Sequence, residues 1–275
     1  MNGIAAEQAA AEPIRTRRDA LKRIAFRRRA VLYPVARALS VLVLLLAWEG
    51  AGRRAAGSFT LPPVTAVAAA LAGQLADPRF WSAAAVTLQA LFVGFALTMA
   101  VGIPAGLIVG RVPVVGRLVN PYLQFLLAVP ASPLVPLFVI VFGIGLAARV
   151  ATVVTFGVAI LIVNTAAGVR LTPPSLVQMA ESFGAAPVQV FRRVVLPAAL
   201  PGIAAGLRLA AGRAVVGMVV SELIIISVGL GRLISQYSAT FDAANLYAVV
   251  IVILSIGVAV ARGMSEVERR AVRWR

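Results

Sequence analysis

The sequence contains no cysteine and no histidine among its 275 residues. Disulfide bonds, thiolate chemistry, imidazole bases and metal sites built from His or Cys are therefore excluded. Charged residues are also scarce, at 13% of the chain against about a quarter in an ordinary soluble domain. So few polar groups do not assemble an acid–base pair or an activated nucleophile, and the ATP-binding pattern G-x-x-x-x-G-K-[ST] is missing. We expect no catalytic, cofactor-binding or metal site in this chain.

Hydrophobic residues make up 61% of the chain and are gathered into long runs. Runs of about 20 apolar residues cross a bilayer as helices, so we expect an all-α integral membrane protein with six transmembrane helices. The first span is expected to stay uncleaved, because the basic segment before it is long for a signal peptide. The predicted spans are about 31–50, 83–109, 118–142, 150–169, 202–226 and 245–261.

The net charge of +16 comes from basic residues that flank the apolar runs. A nucleic-acid partner is disfavoured, because these residues lack the interleaved aromatic side chains that stack on bases. The lipid bilayer is the expected partner instead, with residues 1–37 forming a basic cytoplasmic tail beside anionic headgroups. With the amino terminus inside, nineteen of the 26 Lys and Arg residues fall in cytoplasmic segments and five in outer segments. The positive-inside rule therefore predicts cytoplasmic amino and carboxyl termini.

Two spans carry unusual small or rigid residues. In span 2, Gly102, Gly106 and Gly110 are spaced four apart, which places them on one helix face and predicts close packing against another helix. Prolines at 130, 133 and 136 break span 3. Irregular backbone at membrane depth is tolerated where it lines a cavity, so nearby polar side chains can face a pathway. Simple hydrogen bonding between helices explains those side chains equally well.

Span 5 carries the charges that cost most to place in a membrane, Arg208, Arg213 and Glu222, and each of them needs a partner or water. Arg208 lies near the predicted cytoplasmic end and can extend to the surface. Arg213 lies deeper and is the stronger candidate for a polar cavity. A role in the pathway and a purely structural role explain it equally well. The predicted pathway residues are Gln124, Ser132, Asn164, Arg213 and Glu222.

A polar interruption, residues 173–201, separates spans 4 and 5. Prolines at 173, 174 and 187 suit the first turn of a helix, and Gly184 suits a helix end that needs a left-handed residue. We predict a helix over about 175–183, a turn at Gly184 and a second helical piece from Pro187 to Leu196-Pro197. A polar helix pair between two apolar spans needs something to dock against.

This segment resembles the cytoplasmic signature of ABC-importer permeases, E-A-A, three residues, G, nine residues, I, any residue, L-P. Gly184, Val194 and Leu196-Pro197 match it, whereas Gln178 and Met179 replace the first two residues. In that family the loop is a coupling helix that seats in a cleft of the ATPase. The resemblance implies ATPase docking by Gln178, Met179, Ala180, Glu181 and Gly184, with Pro187, Leu196 and Pro197 shaping the segment.

The run L-P-P-V-T-A-V, from Leu61, resembles the nitrate, sulfonate and taurine branch of the same family. In that branch such a segment starts a short helix outside the membrane. The Asn164-Thr165 pair also matches the branch. The resemblance implies an external loop and interfacial helix over 60–80, followed by a type I ABC-importer transmembrane domain over 81–264.

The family resemblance implies a multi-pass permease of the bacterial inner membrane that imports a small solute, such as a sulfonate, taurine or nitrate anion. It further implies a second copy of the permease, two ABC ATPase subunits that hold ATP and Mg²⁺, and an external substrate-binding protein. Two alternatives remain open. A secondary transporter or channel would work without an ATPase, and a membrane scaffold would not transport.

Overall fold

The computed structural model describes residues 36–55, 61–225 and 228–272, and every regular element within them is a helix. The predicted tail over 1–37 lies almost wholly outside these residues. The helices are α1 (36–54), α2 (Val64–Ala76), α3 (Pro78–Arg111), α4 (Pro113–Ala128), α5 (Leu134–Phe142), α6 (Leu146–Arg170), α7 (Pro174–Ser182), α8 (Pro187–Val190), α9 (Leu196–Ile225), α10 (Gly229–Ala239) and α11 (Ala243–Val272).

The chain divides into two compact units after Ala66. In the first unit, the proline-rich segment folds back on the end of α1. The Glu49 carboxylate accepts hydrogen bonds from the Thr65 amide at 3.0 Å and the Thr65 hydroxyl at 2.9 Å. Gly52 permits the approach, because a Cβ there would lie 2.7 Å from the Cα of Pro63. The segment is therefore fixed by contacts within its own unit.

The second unit is built around α6, which packs against α3 and α9. Their shared core includes the buried side chains of Leu91, Val153, Leu161 and Met218. Four helical stretches within the described residues are long and apolar enough to cross a membrane. They are Pro78–Arg111, Leu146–Arg170, Pro187–Ile225 and Ala243–Arg270. These stretches correspond to predicted spans 2, 4, 5 and 6, and the total of six spans stays a prediction.

The glycine face of α3 packs directly on α6. A Cβ on Gly106 would lie 2.9 Å from the Ile162 carbonyl oxygen, and a Cβ on Gly110 the same distance from the Ala166 carbonyl oxygen. Larger side chains would push the helices apart. The close approach predicted from the four-residue glycine spacing is confirmed.

The predicted span 3 is two helices, α4 and α5, separated by residues 129–133. The expected break at the prolines is confirmed. The helix α4 begins at Pro113, a few residues before the predicted start of the span near Leu118. Proline at a first helical position loses no hydrogen bond, so Pro113 is well suited to start the helix.

The stretch between predicted spans 5 and 6 contains the helix α10, which the hydropathy pattern did not predict. Its Leu230 and Leu233 are buried with Phe80 of α3 and Val249 of α11. This helix is stabilised by packing against residues far away in the sequence, which local hydropathy does not reveal.

Candidate functional site

The break between α4 and α5 opens a cavity of about 400 Å³. One wall is the irregular backbone of residues 128–132, a second is α6 at Thr155 and Phe156, and a third is α9 at Arg213 and Val216. Two predicted pathway residues, Ser132 and Arg213, therefore line the same cavity. The broken helix supplies backbone polar groups at a place where an unbroken helix would present only side chains.

Arg213 is the cation of this cavity. Its side chain is exposed, and no carboxylate among the described residues forms an ion pair with it. A charged group within a membrane span requires a partner or water. An unpaired guanidinium with five N–H donors can bind an anionic group through a pair of hydrogen bonds.

The other predicted pathway residues lie elsewhere. Gln124 is exposed on α4 and does not line the cavity. The Asn164 side-chain amide donates to the Ile160 carbonyl at 2.8 Å, and a Cβ on Gly206 of α9 would lie 2.9 Å from the Cβ of Asn164. Asn164 thus lies at the contact between α6 and α9.

Glu222 is 1% exposed and has its partners inside the protein. Its Oε1 lies 2.7 Å from the Thr87 hydroxyl, which donates to it, and 3.8 Å from an Arg149 nitrogen. Arg149, which lies between predicted spans 3 and 4, is buried in the first turn of α6. Arg208, the other charge of span 5, pairs with Glu268 at 2.7 Å. The expectation that Glu222 and Arg208 need partners is met by residues on other helices.

The polar interruption folds as a short helix, a glycine turn and a second helix. α7 covers Pro174–Ser182, and Gly184 has a φ of 75°, in the left-handed region. The amide of Ala185 bonds to the Ala180 carbonyl and the amide of Gly184 to the Glu181 carbonyl, the pattern of a Schellman cap. The predicted helix, turn and left-handed glycine are all present.

The second helical piece continues into α9 without a loop. Pro187 occupies its first turn, and the backbone widens over Phe191–Val195, where the amide of Leu196 bonds to the Phe191 carbonyl. This π-helical turn directly precedes Pro197, which has no amide hydrogen to donate. The polar interruption over 173–201, hereafter the coupling segment, therefore runs without a loop into the helix that carries Arg213.

α7 has apolar side chains on two faces. Val177 and Ala180 pack on a core formed by Val169, Val190 and Val195. By contrast, Leu176 and Met179 of α7 and Phe183, the residue that follows it, are 40%, 53% and 85% exposed. Gln178 and Glu181 are exposed as well. Exposed apolar side chains grouped on one face of a helix are typical of surfaces that contact a protein partner or a membrane.

Sequence reasoning missed Leu176 and Phe183 as members of this outward face. Their spacing with Met179, three and then four residues, is that of one helix face, so the signal was available once the helix was assumed. It also missed Arg149, whose contact with Glu222 joins residues 73 positions apart and leaves no local pattern.

The coupling segment and the cavity both lie within residues 102–273, which match the family model of the binding-protein-dependent transport system inner membrane component. The chain belongs to this family. It is therefore a multi-pass ABC-importer permease, as the signature in the coupling segment predicted.

The permease is 28% identical over 238 residues to the formylaminopyrimidine transport permease protein ThiX of Halalkalibacterium halodurans, covering 86% of this chain and 94% of that protein. It is 29% identical over 198 residues to the taurine transport system permease protein TauC of Escherichia coli, covering 72% of each. In fold it resembles an inward-facing structure of the MetNI methionine ABC transporter, with a TM-score of 0.60 at 20% identity, covering 72% of this chain and 99% of that one.

Proposed function

We propose that two copies of this permease form the translocation pathway of an ATP-driven importer for a small anion in a bacterial inner membrane. Two ATPase subunits with bound ATP and Mg²⁺ dock on the cytoplasmic side, and an external binding protein delivers the solute. The observation that carries the ATP-driven part is the outward apolar face of α7, formed by Leu176, Met179 and Phe183.

That face has the properties of a docking surface. Phe183 is 85% exposed although it is a large aromatic residue, and burying such a side chain at an interface is strongly favourable. Leu176 and Met179 also line a hollow of about 290 Å³ with Arg193 and Pro197. A helix presenting an apolar face beside a groove fits the helix-in-groove mode of recognition.

The rigid connection from α8 through the π-helical turn to α9 supports a mechanical role. When the ATPase subunits close around ATP, a movement of α7 and α8 passes directly to the helix that carries Arg213. The spans then rock between inward-open and outward-open states as packed bodies. No chemistry takes place in this chain, because ATP is hydrolysed in the partner.

The choice of an anion depends on the cavity. Arg213 lies there without a carboxylate partner among the described residues, so a bound anion would supply the missing opposite charge. The two relatives above are named for taurine and for formylaminopyrimidine. Because Arg213 is a cation, we favour a solute that carries a sulfonate, nitrate or similar anionic group.

A secondary transporter or a scaffold would need no ATPase, and neither accounts for the apolar face of α7. The test is co-purification of the tagged permease with a protein that carries the G-x-x-x-x-G-K-[ST] loop. Phe183→Asp should abolish recovery of that ATPase because it places a charge in the interface. Val267→Asp is the matched control, since Val267 is also an exposed apolar residue but lies on α11. Retention of the ATPase by Phe183→Asp would overturn the docking assignment.

A further inference from the structure

A buried polar cluster joins α10 to three of the long helices. The Thr87 hydroxyl of α3 lies 2.7 and 2.9 Å from the two oxygens of the Glu222 carboxylate on α9. The same hydroxyl oxygen accepts the Leu230 amide at 2.9 Å, and the second carboxylate oxygen accepts the Gly231 amide at 3.0 Å. The first turn of α10, whose amides have no partner within the helix, is thus bonded by side chains of α3 and α9.

Arg149 brings α6 into the same cluster. Its guanidinium lies 3.8 Å from the Glu222 carboxylate and donates to the backbone carbonyls of Val86 at 3.2 Å and Gly145 at 3.3 Å. Glu222 and Thr87 are 1% and 0% exposed. Removing one member of such a cluster leaves a buried polar group unpaired, which is far costlier than losing an exposed hydrogen bond.

Two glycines allow the first turn of α10 to approach Glu222 closely. Gly229 has a φ of 73°, and a Cβ there would overlap the Glu222 carboxylate. A Cβ on Gly231 would lie 2.5 Å from the Cβ of Glu222. The start of α10 therefore lies against Glu222 at a distance that other residue types do not permit.

The far end of α10 is fixed as well. Tyr237, in its last turns, accepts a hydrogen bond at its hydroxyl oxygen from the Gln74 side chain at 2.7 Å. The same Gln74 nitrogen donates to Asn245 of α11 at 3.0 Å, and Gln74 is 6% exposed. A helix held by buried polar contacts at both ends does not behave as a loose connection.

We infer that Glu222, Thr87 and Arg149 form a buried latch that makes α10 one rigid body with α3, α6 and α9. Glu222 is a positioning residue, which fixes α10 by accepting hydrogen bonds from the Gly231 amide and the Thr87 hydroxyl. The role of the latch in transport rests on the proposed function, since an α10 held by the latch must move with the long helices as they rock. The latch itself is a property of the permease alone.

The test uses spin labels, because the chain has no cysteine and each introduced one is labelled specifically. Gln236→Cys on α10 and Ala147→Cys on α6 are exposed positions of the same compact unit. Their distance distribution is measured by pulsed electron spin resonance on the full-length permease in nanodiscs. The latch predicts one narrow peak, which Thr87→Val converts to a broad distribution because it removes the hydroxyl that bridges Glu222 and Leu230. Thr87→Ser, which keeps the hydroxyl, should restore the narrow peak.

Ser221→Ala is the second control, since Ser221 is buried beside Glu222 and its hydroxyl donates to the Met218 carbonyl of its own helix, with no hydrogen bond to the cluster among the described residues. It should leave the distribution narrow. Unchanged narrow peaks in both Thr87→Val and Glu222→Gln would overturn the latch. Uptake measured on the same variants separates the latch from the proposed transport function. If the native permease transports nothing but the distance distribution broadens in Thr87→Val, the latch stands and its role in transport is removed. If ATP-driven uptake is normal but the distances are unchanged in the variants, the transport function stands and the latch is overturned.

Discussion

Gly168 of α6 and Gly202 of α9 meet backbone to backbone, so that a Cβ built on Gly202 would lie 2.5 Å from the Cα of Gly168. This contact lies just beyond the coupling segment, near the start of α9, where α9 packs against α6. Small residues at such a contact allow helices to approach closely in a membrane. The coupling segment is thus attached to a tightly packed helix pair.

Gly202→Ala should destabilise the permease, because the added methyl group meets backbone that cannot move aside. Overpacking of this kind costs about 1–3 kcal/mol. Gly212→Ala on the same helix is the matched control, since a Cβ there would meet no described residue beyond its own stretch of helix within 4 Å and alanine favours the helix by up to about 1 kcal/mol. Thermal unfolding in detergent should show a lower midpoint for Gly202→Ala and an equal or higher one for Gly212→Ala. A midpoint for Gly202→Ala at or above the native value would contradict the packing.

Arg213→Ala should lower uptake of the solute that the companion binding protein carries. A hydrogen bond to a charged group contributes about 1.5–3 kcal/mol, and 1.4 kcal/mol corresponds to a factor of ten. Uptake at limiting solute concentration should therefore fall about tenfold or more, while Arg213→Lys keeps the charge and should lose less. The measurement is uptake into proteoliposomes with binding-protein-stimulated ATP hydrolysis. Unchanged uptake and stimulation in Arg213→Ala would remove Arg213 from the pathway.

The predicted topology is tested by single cysteines labelled with a membrane-impermeant maleimide. Gln178→Cys on α7 should react only after the membrane is opened, whereas Gln236→Cys on α10 should react in intact spheroplasts. Both side chains are exposed, so accessibility within the protein does not limit the reaction. Labelling of Gln178→Cys in intact spheroplasts would place the coupling segment on the wrong side for an ATPase.

Features that depend on neighbouring residues were predictable from the sequence. Gly184 was expected to be left-handed because a helix with a polar face ends there, and its φ is 75°. The prolines after Val129 were expected to break the helix, since proline removes a backbone donor, and the break is present. The glycine spacing in α3 predicted the close approach to α6 for the same local reason.

Features that depend on distant residues could not be predicted from the sequence. α10 carries Gly229, Gly231 and Arg232 and has no strong hydrophobic run, so the sequence pattern did not predict a helix there. It is helical because Leu230 and Leu233 are buried by α3 and α11. Likewise, the partner of Glu222 was unknowable from spacing, because Arg149 and Thr87 lie on other helices. Only the need for a partner could be read from the sequence.

The most direct test of the account replaces Phe183 with a photoreactive phenylalanine analogue, which keeps the ring that α7 exposes. Irradiation of native membranes should link the permease to a protein with the G-x-x-x-x-G-K-[ST] loop, identified by mass spectrometry. The same analogue at Phe142, an exposed residue at the end of α5, should give no such product. Adducts of Phe183 with lipid alone, or with no ATP-binding protein, would contradict the claim that α7 receives the ATPase.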